Sequence, residues 1–210
     1  MDASEQVRIW LENEPTLLID LDGTLVDSSI SVTQAWQAWG QRCGVQPDDI
    51  FAISEGRQGN AVIAELRPDL DAMAEDQWLI QHQLQNIAEV VEIPGARQFL
   101  DGLPPQRWAI VTSCPRDLAI ARLEAAQLPI PEQLITAEDV TRSKPDPAGF
   151  LLGLQRTSSR PTQALVFEDS AAGLAAASAA GIRAVAIHHA ARTAPPADQI
   201  SLSSWLPLLQ

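Results

Sequence analysis

The chain has 210 residues, 46% of them hydrophobic, which is enough for one domain with a modest insertion or for two small domains sharing a core. Its net charge of −13 argues against nucleic acid or an anionic membrane as a partner, because both require basic surfaces. The first 14 residues are acidic and polar, so we expect neither a signal peptide nor a membrane span.

The first strong pattern is an apolar run over residues 17–19 that leads into two acids. A run without polar alternation predicts a parallel strand covered on both faces. Asp20 and Asp22 follow, and side chains two residues apart leave a strand on the same side, while Gly23 permits a tight turn. Two neighbouring carboxylates repel unless a cation offsets them, and oxygen ligands favour Mg²⁺. Taken alone, the pair serves equally well to cap the next segment.

The next part of the chain shows helical patterns only. Helices are predicted over residues 29–43, 60–66 and 72–92, and no strand signal appears between Val26 and Glu92. A turn-forming Pro94-Gly95 then ends the block. We therefore predict a helical cap, residues 28–92, inserted after the first strand, where it lies over the strand ends at which α/β sheets bind ligands.

Strands and helices alternate from residue 93 onward, which is typical of an α/β domain. The predicted strands cover residues 108–111, 134–136, 164–167 and 184–187, and the predicted helices cover residues 96–102, 116–126, 148–155 and 173–180. The Pro-rich tail from residue 194 predicts at most an edge strand near Ile200 and a last helical turn. The predicted fold class is α/β, with a Rossmann-like parallel sheet as the core, residues 1–27 and 93–210.

Polar residues that can handle phosphate and metal follow the strong strands. Thr112 and Ser113 follow one strand, Glu168 and Asp169 follow another, and Lys144 lies between them in a Pro-stiffened turn. Singly, each has an ordinary structural explanation as a helix cap, a solvated loop charge or a pair of acids at a helix N-terminus. Because all of them fall at carboxyl ends of strands in one sheet, together they predict a shared site.

These motifs, in this order, resemble those of the haloacid dehalogenase-like hydrolases with a helical cap. The resemblance covers nearly the whole chain and rests on four motifs: Asp20-Leu21-Asp22-Gly23-Thr24, Thr112, Lys144 in Ser-Lys-Pro-Asp-Pro, and Glu168-Asp169-Ser170-Ala171-Ala172-Gly173. Within the family the chain is most similar to the small sugar-phosphate and glycerol-phosphate phosphatases, on weaker features such as Gly56-Arg57 and Ile93-Pro94-Gly95-Ala96.

The resemblance implies an Mg²⁺-dependent phosphatase that hydrolyses a small phosphorylated sugar or polyol. Asp20 would attack the phosphorus and become an aspartyl phosphate, while Asp22 would protonate the leaving alkoxide and then activate water. Mg²⁺ would be held by the Asp20 carboxylate, the Asp22 main-chain carbonyl and Asp169, with Glu168 acting through water. The phosphoryl oxygens would be held by Thr112, the Ser113 backbone and the catalytic Lys144.

Other members of the family remain alternatives. A β-phosphoglucomutase-like phosphomutase shares all four motifs, and a phosphoglycolate phosphatase is another possibility within the hydrolases. An inert phosphosugar-binding regulator is the least favoured, because no required group is missing. Asp22 argues against a true dehalogenase, which lacks an acid at that position.

Substrate selection is expected from a cap segment that combines flexible glycines with polar groups. Arg57, Gln58 and Asn60 can match phosphate and hydroxyl oxygens, and Glu55 stands where similar phosphatases often have His. The ordinary alternative is an exposed connection in which Arg57 pairs with Glu55. The expected partner is a small phosphorylated metabolite, bound by a monomer.

The two cysteines, Cys43 and Cys114, have no metal-type spacing and predict free thiols in a cytoplasmic protein. Cys114 takes the place of the Gly that usually follows Thr-Ser in similar phosphatases. Its thiol is either a small filler beside the phosphate pocket or a reactive group with a lowered pKa.

Overall fold

A computed structural model describes residues 2–188 and 199–209 of the chain. The strands are β1 Thr16–Ile19, β2 Val26–Asp27, β3 Val91–Glu92, β4 Trp108–Val111, β5 Leu134–Ile135, β6 Ala164–Glu168, β7 Arg183–Ile187 and β8 Ser201–Leu202. The α-helices are α1 Ala3–Glu12, α2 Ser29–Cys43, α3 Pro47–Ser54, α4 Gly59–Leu66, α5 Ala72–Gln85, α6 Ala96–Asp101, α7 Arg116–Ala125, α8 Ala148–Arg156 and α9 Ala171–Ala179.

The core is a six-stranded parallel sheet in the order β5-β4-β1-β6-β7-β8. Strand β1 lies inside the sheet, and its apolar run is covered on both faces as predicted. Leu18 packs into one hydrophobic cluster with α8 and α9, while Leu17 and Ile19 pack into the opposite cluster with α6 and α7. The predicted α/β fold class is therefore confirmed.

The helical cap follows β1 and has a hydrophobic cluster of its own, which includes Trp36, Trp39, Ile50, Ile63 and Leu79. These side chains come from α2, α3, α4 and α5. This separate cluster agrees with a cap domain. The exact boundaries of the cap, residues 28–92, stay a prediction. Helix α3 begins with Pro47 in its first turn, a position that suits proline because no intrahelical N–H bond is lost there.

Two short strands, β2 and β3, connect the cap to the core, and neither was predicted from the sequence. The predicted helix 72–92 ends at Gln85, and after a 3₁₀ turn at Ile87–Glu89 the chain enters β3. Strand β3 pairs antiparallel with β2, so that Val26 lies opposite Glu92. Helices α1 and α3 were also not predicted. None of the helices in the described ranges has both the length and the apolar character that membrane crossing needs.

The C-terminal segment packs against the connection between cap and core. The predicted edge strand and last helical turn are confirmed as β8 and a 3₁₀ turn at Leu206–Leu208, whereas residues 194–198 of the predicted tail lie outside the described residues. Buried Trp205 donates from its indole Nε1 to the Thr24 carbonyl at 2.8 Å and from its backbone N–H to the Pro94 carbonyl at 3.0 Å. Its ring lies 4.7 Å from that of Phe167 in β6.

Candidate active site

Three carboxyl groups meet at the carboxyl ends of β1 and β6. The two strands pair in register, with Ile19 opposite Phe167, so the next residues, Asp20 and Glu168, are neighbours. Carboxylate oxygens of Asp20, Glu168 and Asp169 lie within 4.8 Å of one another. Asp20 and Glu168 are buried, at 5% and 1% exposure. This is the cluster that the parallel strand ends predict.

A buried cation, Lys144, lies inside the cluster. Its Nζ donates to Asp20 Oδ1 at 2.5 Å and to Glu168 Oε2 at 2.7 Å. Burial raises the pKa of Asp20 to about 7, and the charge of Glu168 adds to this effect while Lys144 opposes it. Burial also opposes ionisation of Glu168, but Lys144 and hydrogen bonds from Ser170 hold the pKa of Glu168 below its usual range.

The cluster fits a divalent cation by the chemistry of its donors. Three carboxyl groups face one ammonium group, so negative charge is left over when all the carboxyl groups are ionised. Carboxylate oxygens are the ligands that Mg²⁺ takes from proteins. Asp20, Glu168 and Asp169 could therefore hold the metal, and the carboxylate of Asp22 is not part of this cluster.

Asp22 is held instead by an arginine that the sequence analysis missed. Arg122 Nη1 donates to Asp22 Oδ2 at 2.6 Å, and Ser28 Oγ donates to Asp22 Oδ1 at 2.7 Å. Arg122 is 3% exposed and lies on α7 among the buried residues Leu118, Ala119 and Leu123. A charged residue on the apolar stripe of a predicted helix was the available signal, because such a position needs a buried partner.

The predicted phosphate-binding residues lie at the end of β4. Thr112 is buried, and its Oγ1 accepts a hydrogen bond from the Cys114 backbone N–H at 3.0 Å. Ser113 Oγ donates to the carbonyl of Gly56 in the cap at 2.8 Å. The Ser113 hydroxyl therefore holds the cap segment, which leaves the main chain of Ser113 for the predicted phosphate contact.

A cavity of about 390 Å³ lies between cap and core. Core residues on its wall include Asp20, Asp22 and Thr112, and cap residues on its wall include Trp36, Phe51, Glu55, Arg57, Asp76 and Gln83. Lys144 and Glu168 are not on its wall. Lys144 thus reaches the cavity through its bond to Asp20 rather than directly.

The predicted cap residues divide into two groups. Glu55 and Arg57 line the cavity, with Arg57 Nη2 bound to Glu65 Oε2 at 2.8 Å. The amides of the other two residues point elsewhere. Gln58 Nε2 donates to the core carbonyl of Ala137 at 3.2 Å, and Asn60 Nδ2 lies 3.3 Å from Met73 Sδ.

Asp76 is a second residue that sequence reasoning missed. It lines the cavity from α5 and accepts a hydrogen bond from the Asn60 backbone N–H at the start of α4. A Cβ on Gly59 would lie 2.1 Å from Asp76 Oδ1, so the missing side chain of Gly59 makes room for the carboxylate. Burial raises the pKa of Asp76 to about 6, despite the opposing effect of this hydrogen bond.

The lowered pKa on which a reactive Cys114 would depend is contradicted, although Cys114 lines the cavity. Its side chain is buried and accepts a hydrogen bond from Arg122 Nη1 at 3.3 Å. Burial raises the pKa of the thiol above its ordinary value, more strongly than the Arg122 charge lowers it. Both cysteines are free, and the burial of Cys114 favours the alternative interpretation as a small filler beside the phosphate pocket.

Buried acids at the end of an inner parallel strand, beneath an inserted helical cap, define the class of capped α/β hydrolases. The sequence profile of the haloacid dehalogenase-like hydrolases matches residues 17–187 of the chain. The chain therefore belongs to the haloacid dehalogenase-like hydrolase family.

Similar proteins support this assignment over most of the chain. Hexitol phosphatase A of Escherichia coli (strain K12) is 36% identical over 193 residues, covering 88% of each protein. Validoxylamine A 7′-phosphate phosphatase of Streptomyces hygroscopicus subsp. limoneus is 35% identical, covering 81% of this chain and 84% of that protein. The crystal structure of a hydrolase from Pseudomonas syringae superposes with a TM-score of 0.74 at 25% identity, covering 82% of this chain and 84% of that one.

Proposed function

We propose that this protein is an Mg²⁺-dependent phosphatase that hydrolyses a small phosphorylated sugar or polyol through an aspartyl-phosphate intermediate. One observation carries the proposal. Asp20 is buried at the end of an inner strand, bound to Lys144 inside an acid cluster, and still forms part of the cavity wall. Such a carboxylate is fixed in direction and exposed to a ligand on one side, as a nucleophile must be.

Asp20 would attack phosphorus, because one of its oxygens is held by Lys144 while the residue faces the cavity. Asp20, Asp169 and the main-chain carbonyl of Asp22 would hold Mg²⁺, with Glu168 acting through water. When bound, the metal neutralises the carboxylates and lets an anionic nucleophile approach an anionic phosphate. Lys144 keeps Asp20 oriented through a short, buried hydrogen bond.

The proton steps would belong to Asp22. It lines the cavity beside Asp20, so its carboxyl group can give a proton to the leaving alkoxide and later take one from water. The Thr112 hydroxyl and the backbone of Ser113 would hold the phosphoryl oxygens as charge redistributes.

The size and polarity of the cavity support a small hydroxylated substrate. A volume of about 390 Å³ suits one small metabolite. Glu55, Arg57 and Asp76 offer charged acceptors and donors on the cap side, where the carbon skeleton of the substrate would lie. The names of the two similar phosphatases, for a hexitol phosphate and for validoxylamine A 7′-phosphate, agree with a polyol-like leaving group. Gln58 and Asn60 would have at most an indirect part.

The test is a hydrolysis screen with Mg²⁺ over phosphorylated hexitols, sugars, glycerol and glycolate, with release of inorganic phosphate as the readout. We expect release from hexitol or sugar phosphates and none from the Asp20→Asn protein. Preferred hydrolysis of phosphoglycolate would change the substrate class. Interconversion of glucose 1- and 6-phosphates with little free phosphate would identify a mutase and overturn the proposal.

A second measurement tests the role of the cap residue Arg57 in substrate selection. Arg57→Ala should lower kcat/KM for the best hydroxylated substrate by ~1–3 kcal/mol, the cost of one lost charged hydrogen bond, and should change hydrolysis of p-nitrophenyl phosphate much less. Arg67→Ala is a matched control, because Arg67 also pairs with an acid, Asp69, at similar exposure but does not line the cavity. Equal losses for both substrates in Arg57→Ala would assign Arg57 to the phosphate or the fold.

The proposal includes a cytoplasmic location and a monomeric state. The two free thiols support the first, since disulfides are rare in reducing compartments. Sedimentation of the purified protein would test the second.

A further inference from the structure

We propose that Arg122 and Gln83 form a link between core and cap that positions Asp22 for its proton steps. The proposal rests on the function given above, and it assigns both residues as positioning residues. The link consists of three side chains: Asp22 after β1, Arg122 on α7 and Gln83 on α5 of the cap.

The first step is the geometry of the guanidinium. Arg122 Nη1 donates to Asp22 Oδ2 at 2.6 Å, and Nη2 donates to Gln83 Oε1 in a short hydrogen bond. Arg122 is 3% exposed and Gln83 is 9% exposed, so little of either side chain meets solvent, although both line the cavity. A planar guanidinium held at both terminal nitrogens has little freedom to turn. Its direction is therefore fixed jointly by a core residue and a cap residue.

The second step is that both oxygens of Asp22 depend on groups near or in the cap. Oδ1 accepts from Ser28 Oγ at 2.7 Å, and Ser28 is the residue that precedes α2. Oδ2 accepts from Arg122, which Gln83 holds in turn. The residue before α2 thus contacts the Asp22 carboxylate directly, and the last part of α5 contacts it through Arg122. A shift of α5 away from α7 would remove Gln83 from Arg122 Nη2, and the direction of the guanidinium that contacts Asp22 would then be less restricted.

The third step is the cost of burying Arg122. A buried guanidinium has to recover the lost hydration of five donors. Here Nε has no hydrogen-bond partner among the described residues, so the burial is incompletely compensated. An apolar residue on the same stripe as Leu118 and Leu123 would stabilise the fold at least as well. The buried Arg122 is therefore explained better by a role in positioning the Asp22 carboxylate than by a contribution to the stability of the fold.

The test uses Gln83→Leu, which removes the acceptor for Arg122 and keeps a side chain of similar length. Two phosphate esters distinguish the proton transfer to the leaving group from the hydrolysis of the aspartyl phosphate. An alkyl phosphate needs a proton on its leaving alkoxide, whereas p-nitrophenyl phosphate leaves as a stable phenolate. Hydrolysis of the aspartyl phosphate needs Asp22 as base with either ester.

We expect Gln83→Leu to keep the rate of the nitrophenolate burst within about 3-fold of the unaltered enzyme, because that step needs no proton from Asp22. Steady-state turnover should fall ~10–100-fold for both esters, part of the 10²–10⁴-fold contribution of general acid–base catalysis, with little change in KM. The burst should also grow toward a full equivalent, because the phosphoenzyme accumulates. Gln83→Glu, which keeps an acceptor for the guanidinium, should recover most of the turnover.

Gln81→Leu is the control, because Gln81 lies on the same helix but is exposed. It should leave both the burst and the turnover unchanged. If Gln83→Leu slows the burst as much as the turnover, or changes neither, the link does not position Asp22 and the proposal is overturned. Absence of p-nitrophenyl phosphate hydrolysis in the unaltered enzyme would instead overturn the proposed function itself, and the link with it.

Discussion

Replacing Gly173 with alanine would place a methyl group where the Glu168 carboxylate lies. Gly173 is in the first turn of α9, and a Cβ built there lies 2.0 Å from both Cδ and Oε2 of Glu168. Ordinary contact begins near 3.4 Å, so one of the two must move by about 1.4 Å, the difference between 3.4 and 2.0. The backbone of α9 at Gly173 is fixed by the hydrogen bonds of the helix, so we expect the Glu168 carboxylate to move.

The cost follows from the bonds that the carboxylate would lose. Glu168 accepts from Lys144 Nζ at 2.7 Å and from Ser170 Oγ at 2.9 Å, in a site with 1% exposure. Breaking a buried ion pair costs about 3–5 kcal/mol, and alanine in a helix returns about 1 kcal/mol relative to glycine. The free energy of unfolding should therefore fall by about 2–4 kcal/mol. Because the carboxylate also belongs to the candidate metal cluster, half-saturation by Mg²⁺ should rise ~10–100-fold.

Urea unfolding followed by tryptophan fluorescence measures the free energy of unfolding. A titration of activity with Mg²⁺ measures the half-saturating Mg²⁺ concentration. Gly102→Ala is the matched control, since Gly102 has helical dihedral angles and its Cβ would make only ordinary contacts, at 3.4 Å or more. Its stability should stay within about 0.5 kcal/mol of the unaltered protein. A Gly173→Ala protein that is as stable as the unaltered one and has unchanged Mg²⁺ dependence would show that Glu168 is not fixed as described.

Three further predictions concern the nucleophile, the metal and the cap. Asp20→Asn should abolish phosphate release while urea unfolding shows an intact fold, because an amide is a poor nucleophile; residual turnover above a small fraction would contradict the covalent route. Chelation should stop hydrolysis and Mg²⁺ should restore it, whereas Ca²⁺ should inhibit because its coordination is larger and looser; full activity in excess chelator would exclude the metal. Since burial raises the pKa of Asp76 to about 6, the folded state binds this proton more tightly than the unfolded state, and stability should fall as pH rises from about 4 to about 6. The difference in unfolding free energy between the unaltered protein and Asp76→Asn should change by up to ~2 kcal/mol over that range, allowing for partial exposure of the carboxylate, and a constant difference would argue against the raised pKa.

The parts of the fold that the sequence predicted are those set by short-range patterns. The apolar run before Asp20 specified a strand buried on both faces, and the polar residues after strands β4 and β6 specified one edge of the sheet. Strand β3 was missed because two residues are too few to produce a periodic pattern. It exists through its pairing with β2, which is distant along the chain.

The missed residues of the site depend on contacts between distant segments. Arg122 and Asp22 are 100 residues apart, and Arg122 and Gln83 are 39 residues apart, so no local motif joins them. The error over Cys114 has a related cause. A phosphate-binding loop and a helix N-terminus beside the thiol suggested a lowered pKa, but burial, which the local sequence does not report, has the larger effect.

The contact between Trp205 and Thr24 has a consequence for biosynthesis. The two residues are 181 positions apart, and the indole fixes the carbonyl of the turn that follows the two acids. The ribosome makes Trp205 after Thr24 and after all four motifs, so a nascent chain can already contain every catalytic motif and still lack the side chain that secures this turn. We expect the enzyme to acquire its activity only after Trp205 has been made, and a chain truncated before Trp205 to be inactive with all four motifs intact.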